Sequence, residues 1–216
     1  MAVSLRKGQA VTLKAEQYDL TRVTFGLGWK TVAPKKRSLL NFLTKKDDGI
    51  DLDAVAFLLN DKNKVENMGP PLPDGQPALT GADIVFFNNL RHTSGVMWLT
   101  GDSRTGSDAT SDDEQIIALL SYMNPKYHKI VVVVQIYQGI KRQQSFGHVE
   151  QAYIHAVDAK GVEMLRFDLA RDPQYANCQA MIFAEIERID GNTWEFHAIG
   201  RGLNTDNLRE ILWEYA

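Results

Sequence analysis

The stretch TRVTFGLGW, residues 21–29, puts Val23, Phe25, Leu27 and Trp29 on every second position. Side chains of an extended chain point alternately to the two faces of a sheet, so this period of two predicts a strand with one apolar face and not a helix. Reading outward, QAVTLK (9–14) precedes it as a second strand. DLDAVAFLL (51–59), ADIVFFNNL (82–90), VMWLT (96–100) and HKIVVVVQIY (128–137) follow, the last apolar and β-branched enough for the centre of a sheet. HVEQAYIHAVD (148–158), VEMLRFDL (162–169) and NTWEFHAIG (192–200) complete the set, with Lys160-Gly161 and Asp190-Gly191 as hairpin turns. The chain closes on NTDNLREILWEYA (204–216), where Leu208, Ile211, Leu212 and Tyr215 form one stripe of a short amphipathic helix. About ten strands joined by hairpins or short loops, with one mid-chain helix and a C-terminal helix, predict an antiparallel β-sandwich.

Composition restricts the function classes. With 216 residues, 44% hydrophobic and 24% charged, the chain reads as one ordinary globular domain over 1–216. A net charge of -3 gives no global pull toward nucleic acid, and Trp29, Trp98, Trp194 and Trp213 fall on apolar positions of the expected elements, as core and not as a stacking platform. The single cysteine, Cys178, excludes an internal disulfide and has no activating neighbour. No secretory leader is read at the start, and the longest apolar run, 130–134, is too short to span a bilayer, so a cytoplasmic location is expected. Two segments interrupt the strand pattern. A basic insertion at about 30–48 carries Lys35, Lys36 and Arg37 beside Leu39, Leu40, Phe42 and Leu43, and a Pro-rich loop spans about 67–80. The insertion reads either as an amphipathic helix lying on a membrane or partner, or as a solvated loop.

The densest chemistry lies in GDSRTGSDATSDDE, residues 101–114, where Asp102, Asp108, Asp112, Asp113 and Glu114 meet a single positive neighbour, Arg104. Carboxylates held this close repel one another, and a divalent cation relieves the repulsion. A loop of Asp, Ser, Thr and Gly without Cys or His suits a hard, oxygen-loving ion and not zinc. The spacing is not that of an EF-hand, because Arg104 and Gly106 stand where oxygen ligands would be required. A second reading stays open beside the first. Ser111 and Glu114 have the spacing of a helix capping box, Asp112 and Asp113 would favour the first turn, and Ile116, Leu119, Leu120 and Met123 recur at helical spacing. Asp51 and Asp53, where DLDAVAFLL begins, are either a solvated edge or further ligands of the same ion. Catalysis is not expected: Asp112 and Glu114 could serve as an acid/base pair, but no nucleophile and base accompany them, and the five histidines are scattered.

Taken together, FGLGW (25–29), DLDAVAFLLND (51–61), FFNNL (86–90), the GD…TG…DDEQI loop (101–116), KIVVVV (129–134), FGHVEQAYIHAVDA (146–159) and EFHAIGRG (195–202) resemble the TerD family of bacterial tellurium-resistance and stress proteins, in the family's order along nearly the whole chain. The loop departs from the usual GDNLTGEGDGDDE by one extra residue and by Ser103, Ser107, Ala109, Thr110 and Ser111. The resemblance implies a non-enzymatic β-sandwich binding one or two calcium ions. Carried over by position, the ligands would be Asp102, Asp112, Asp113 and Glu114, with Asp108 in the same loop and Asp51, Asp53 and Asn89 next. It also implies other stress or tellurium-resistance proteins as partners, in a complex at the inner membrane, with Lys35, Lys36 and Arg37 as contact residues if the insertion acts as an adaptor.

Overall fold

The computed structural model describes residues 2–31, 49–100, 112–170 and 172–216. Among them the chain forms two six-stranded sheets. In chain order the strands are β1 (Val3–Leu5), β2 (Ala10–Lys14), β3 (Val23–Thr31), β4 (Leu52–Leu59), β5 (Ile84–Val85), β6 (Met97–Thr100), β7 (Glu114–Ala118), β8 (Lys129–Ile136), β9 (Val149–Val157), β10 (Glu163–Ala170), β11 (Ala180–Asp190) and β12 (Thr193–Leu203). One sheet, here sheet A, runs β1-β10-β9-β3-β7-β6, and sheet B runs β2-β12-β11-β8-β4-β5. Every pairing between them is antiparallel except that of β1 with β10. This is the sandwich that the alternation predicts.

The alternation in β3 resolves as the pattern requires. Val23, Phe25, Leu27 and Trp29 are buried between the sheets, while Gly26 and Gly28 face outward. Sheet B is covered on both faces, which is why β4 and β8 read as unbroken apolar runs. Its inner face, with Ala54, Ala56, Val132 and Val134, joins the main core. Val55, Phe57, Val131 and Val133 on the other face pack under Leu208, Ile211 and Leu212 of a C-terminal helix (Leu208–Trp213). That helix is the amphipathic element expected from the sequence, capped at its start by the Asn207 side chain accepting from Arg209 N.

Several local expectations are corrected. The stretch after the acidic loop is no helix: residues 114–118 are β7, pairing with both β3 and β6, and only Leu120–Tyr122 make a single 3₁₀ turn. Pairing on both edges outweighs a helical spacing that rests on four apolar residues. The mid-chain helix is instead one turn, Gly139–Arg142. Only Ile84–Val85 of the 82–90 run is strand, because Phe86 and Asn89 pair with each other across a tight turn. The Pro-rich loop forms a small hairpin of its own, with Pro71 opposite Pro77, and Arg209 Nε ties it down by donating to Pro77 O. Trp29 and Trp194 are core, whereas Trp98 lies half-buried beneath Arg91, and Trp213 is 51% exposed. Among the described residues no helix is long and apolar enough to cross a membrane. Residues 32–48, with Lys35, Lys36 and Arg37, lie outside the described residues.

Candidate cation site

Three consecutive acids lead into β7, and each goes a different way. Residue 113 is a bend, so the chain leaves the ladder just before Glu114. Asp113 keeps one backbone contact, its N–H donating to Leu27 O at 2.8 Å, and its side chain supplies the next, Oδ2 accepting from Trp29 N at 3.0 Å. Glu114, opposite the inward-facing Leu27, reaches across to sheet B, where its Oε2 accepts from Ala54 N at 2.5 Å. Asp112 folds back over the outer face of sheet A. There its Oδ1 accepts from the Tyr153 hydroxyl at 3.0 Å, its Oδ2 from Gln115 Nε2 at 3.0 Å, and His155 Nε2 lies 3.0 and 3.2 Å from the two oxygens.

Asp113 and Glu114 are therefore buried, at 6% and 4% exposure, at one end of the sandwich. The same end holds the start of β4. Trp29 Nε1 donates to Ile50 O at 3.1 Å, the Asp51 carbonyl accepts from Tyr137 N, and Asp53 is buried opposite Gln135. The indole of Trp29 thus ties β3, whose backbone holds the Asp113 side chain, to the segment that carries Asp51 and Asp53. Asn89 stands apart from this group and closes the turn after β5, where its Oδ1 accepts from Gly81 N and its Nδ2 donates to Ile84 O. Asp102 and Asp108 lie outside the described residues.

The donor chemistry at this end is carboxylate and backbone carbonyl, which fits a hard cation such as calcium and not a thiolate- or imidazole-seeking metal. Among the described residues no three Asp, Glu, His or Cys side chains stand together closely enough to hold a metal ion.

The electrostatics of Asp112 follow from its partners. Burial works against its ionisation, but the hydrogen bond and charge of His155 outweigh it, helped by Gln115 and Tyr153, and hold its carboxyl below the usual range. Asp112 in turn raises His155, against burial, with Glu163 adding to the effect through Nδ1 at 2.9 Å. Tyr153 is raised well above an ordinary phenol, by burial first and by Asp112 next.

Two glycines make room for this group. A Cβ at Gly26 would stand 2.2 Å from Asp112 Oδ2 and 2.4 Å from His155 Nε2, and one at Gly28 would stand 2.4 Å from the Tyr153 ring. Gly26→Ala is expected to destabilise the fold by about 1–3 kcal/mol, the usual range for overpacking, read as a lower urea midpoint at unchanged slope. Nothing read from the sequence singled out Tyr153 or these glycines. The signal was there: glycine inside a strand often marks a close approach by another group, and two of them alternate with the large residues of FGLGW.

Against this geometry the comparisons are specific. The family model of the TerD domain matches residues 1–215. The chain belongs to the TerD family. Among its TerD-family relatives it is 48% identical over 215 residues to the tellurium resistance protein TerX of Serratia marcescens, covering 100% of both chains. It is 34% identical to the stress response protein SCP2 of Bacillus subtilis strain 168, again over 100% of both. A solved structure of a homologue of the telluride resistance protein TerD from Streptomyces coelicolor A3(2) superposes with a TM-score of 0.57, covering 88% of this chain and 94% of that one, at 22% identity. At that identity the likeness bears on the TerD fold alone. These TerD-family relatives carry resistance and stress names, and none of the names describes an enzyme.

Proposed function

We propose that this TerD-family protein is a calcium-binding, non-enzymatic module of a bacterial stress and tellurium-resistance response. The observation that carries the reading is the pair of buried carboxylates, Asp113 and Glu114, delivered by β7 to the end of the sandwich where β4 brings Asp51 and Asp53. Carboxylates are rarely buried without a compensating charge or hydrogen bonds; here backbone N–H groups donate to both, and Asp102 and Asp108 precede them in the same short stretch of sequence. A cation would neutralise the cluster and tie the two sheets together at this end. The module acts in the cytoplasm through other stress or tellurium-resistance proteins, in a complex beside the inner membrane, and Lys35, Lys36 and Arg37 are the proposed contact residues. It neither catalyses a reaction nor binds nucleic acid.

The test is calorimetry of calcium into chelator-treated protein beside the Asp113→Asn, Glu114→Gln double variant. Saturable heat is expected in the parent and little or none in the variant. Calcium at about 100 times Kd should stabilise the parent by about 2.7 kcal/mol, seen as a rise in Tm that the variant lacks. No heat and an unmoved Tm in the parent would end the calcium reading and leave an adaptor working through the basic insertion, which deletion of residues 33–46 then tests.

A further inference from the structure

The calcium reading leaves a polar cluster on the outer face of sheet A unexplained. Tyr153 lies on that face yet is only 3% exposed, with Asp112 against its hydroxyl and the Arg166 guanidinium 3.8 Å from its ring centroid. His155 is wedged between two carboxylates, Nε2 on Asp112 and Nδ1 on Glu163. β3 is hollowed at Gly26 and Gly28 to admit these groups. Three side chains from two strands, Tyr153 and His155 of β9 and Gln115 of β7, thus converge on one carboxylate, in a recess that any larger residue at Gly26 would fill.

The convergence matters because of where Asp112 sits. It precedes the bend at residue 113, beyond which Asp113 and Glu114 turn to Trp29 N and Ala54 N. We infer that Tyr153 and His155 are positioning residues: they seat Asp112 on sheet A, fix the bend, and thereby aim Asp113 and Glu114 at the end of the sandwich. Asp112 is then an anchor and not a cation ligand. Its carboxylate is held by Tyr153, Gln115 and His155 on the outer face of sheet A, away from Asp113 and Glu114, which turn to Trp29 N and Ala54 N. The inference rests on the calcium reading for its effect on affinity, but the anchoring has a consequence of its own. If Asp112 comes loose, the Asp113 side chain no longer holds the Trp29 N–H.

The experiment uses the full chain and the variants His155→Ala, Tyr153→Phe, Asp112→Ala and Asp112→Asn. The first readout is amide exchange of Trp29 without calcium, referred to that of Phe196 in sheet B, which reports global opening. The second is calcium affinity by calorimetry. His155→Ala and Tyr153→Phe are expected to speed Trp29 exchange relative to Phe196 and to weaken calcium binding about 10-fold or more, as loss of groups that orient metal ligands does. Asp112→Asn keeps an acceptor for Tyr153 and should stay near the parent in affinity. Adding His155→Ala to Asp112→Ala should cost nothing further, because both remove one anchor. The inference is overturned if His155→Ala and Tyr153→Phe leave both readouts at the parent's values. It is equally overturned if Asp112→Asn leaves Trp29 exchange at the parent's value and yet loses as much affinity as Asp112→Ala, since the charge would then act on the ion and not on the bend. If the parent takes up no calcium, the calcium reading fails separately and the Trp29 amide alone decides: faster exchange in the variants upholds the anchor, unchanged exchange refutes it.

Discussion

Asp83→Ala is expected to lower the unfolding free energy by about 3–5 kcal/mol, the cost of breaking a buried charged network by removing one member. Asp83 is 3% exposed and its Oδ1 accepts from the Tyr127 hydroxyl at 2.6 Å and lies 3.0 Å from His92 Nε2, while its Oδ2 accepts from Asn67 N. His92, itself 2% exposed, passes the network on to Ser94. Truncation would leave a buried phenol and a buried imidazole facing a hole. The network also predicts a pH dependence with a definite sign. Burial pushes the Asp83 carboxyl up, but hydrogen bonds from His92 and Tyr127, with the charges of Lys126 and His92, more than offset this and leave it below its ordinary value. A folded-state pKa below the unfolded one means that the stabilisation is fully present above about pH 4 and is lost as the pH falls through the folded value. Urea midpoints measured from pH 7 down to pH 3 should therefore fall less steeply in Asp83→Asn than in the parent. Parallel curves would show that Asp83 ionisation contributes nothing to this slope.

Trp29→Ala should cost a similar amount, about 3–5 kcal/mol for a large buried aromatic, while Trp213→Ala should stay within about 0.5 kcal/mol because that indole is half in solvent. The two changes are chemically identical, so the contrast isolates burial. Trp29 has a further consequence that core volume does not predict. Its Nε1 is the link to Ile50 O, beside Asp51, and its own amide holds Asp113. Trp29→Phe keeps much of the apolar surface and deletes the indole donor together with one of its two rings. It is expected to be the milder change in stability, yet to loosen the start of β4, visible as faster amide exchange at Leu52 than at Leu58. Equal exchange at the two ends of β4 would show that the indole hydrogen bond does not hold the segment.

The elements legible in the sequence are those whose burial follows a strict period or an unbroken apolar run. β3, β4, β8 and the C-terminal helix were each readable because apolar residues recur where the core requires them. The candidate site was proposed from composition: five acids and their likeness to the TerD loop lie within one short segment. What failed was the conformation of residues 112–123. There local spacing suited a helix as well as a strand, and the choice rests on β3, far away in sequence, and on β6, across the acidic segment, between which β7 pairs.

By itself, then, the chain's order of residues determined the fold class, the family and the oxygen-rich character of the candidate site, since these depend on pattern and residue type. Only the tertiary structure decided what each acid does. Asp112, Asp113 and Glu114 are neighbours of almost equal chemistry, and one lies on an outer face, one caps a backbone ladder and one bridges to the other sheet. The difference comes from partners on β3, β4 and β9, brought to the same place by strand pairing and sheet packing. No reading of the acids alone contains that information, because a carboxylate's role is set by the donors that surround it.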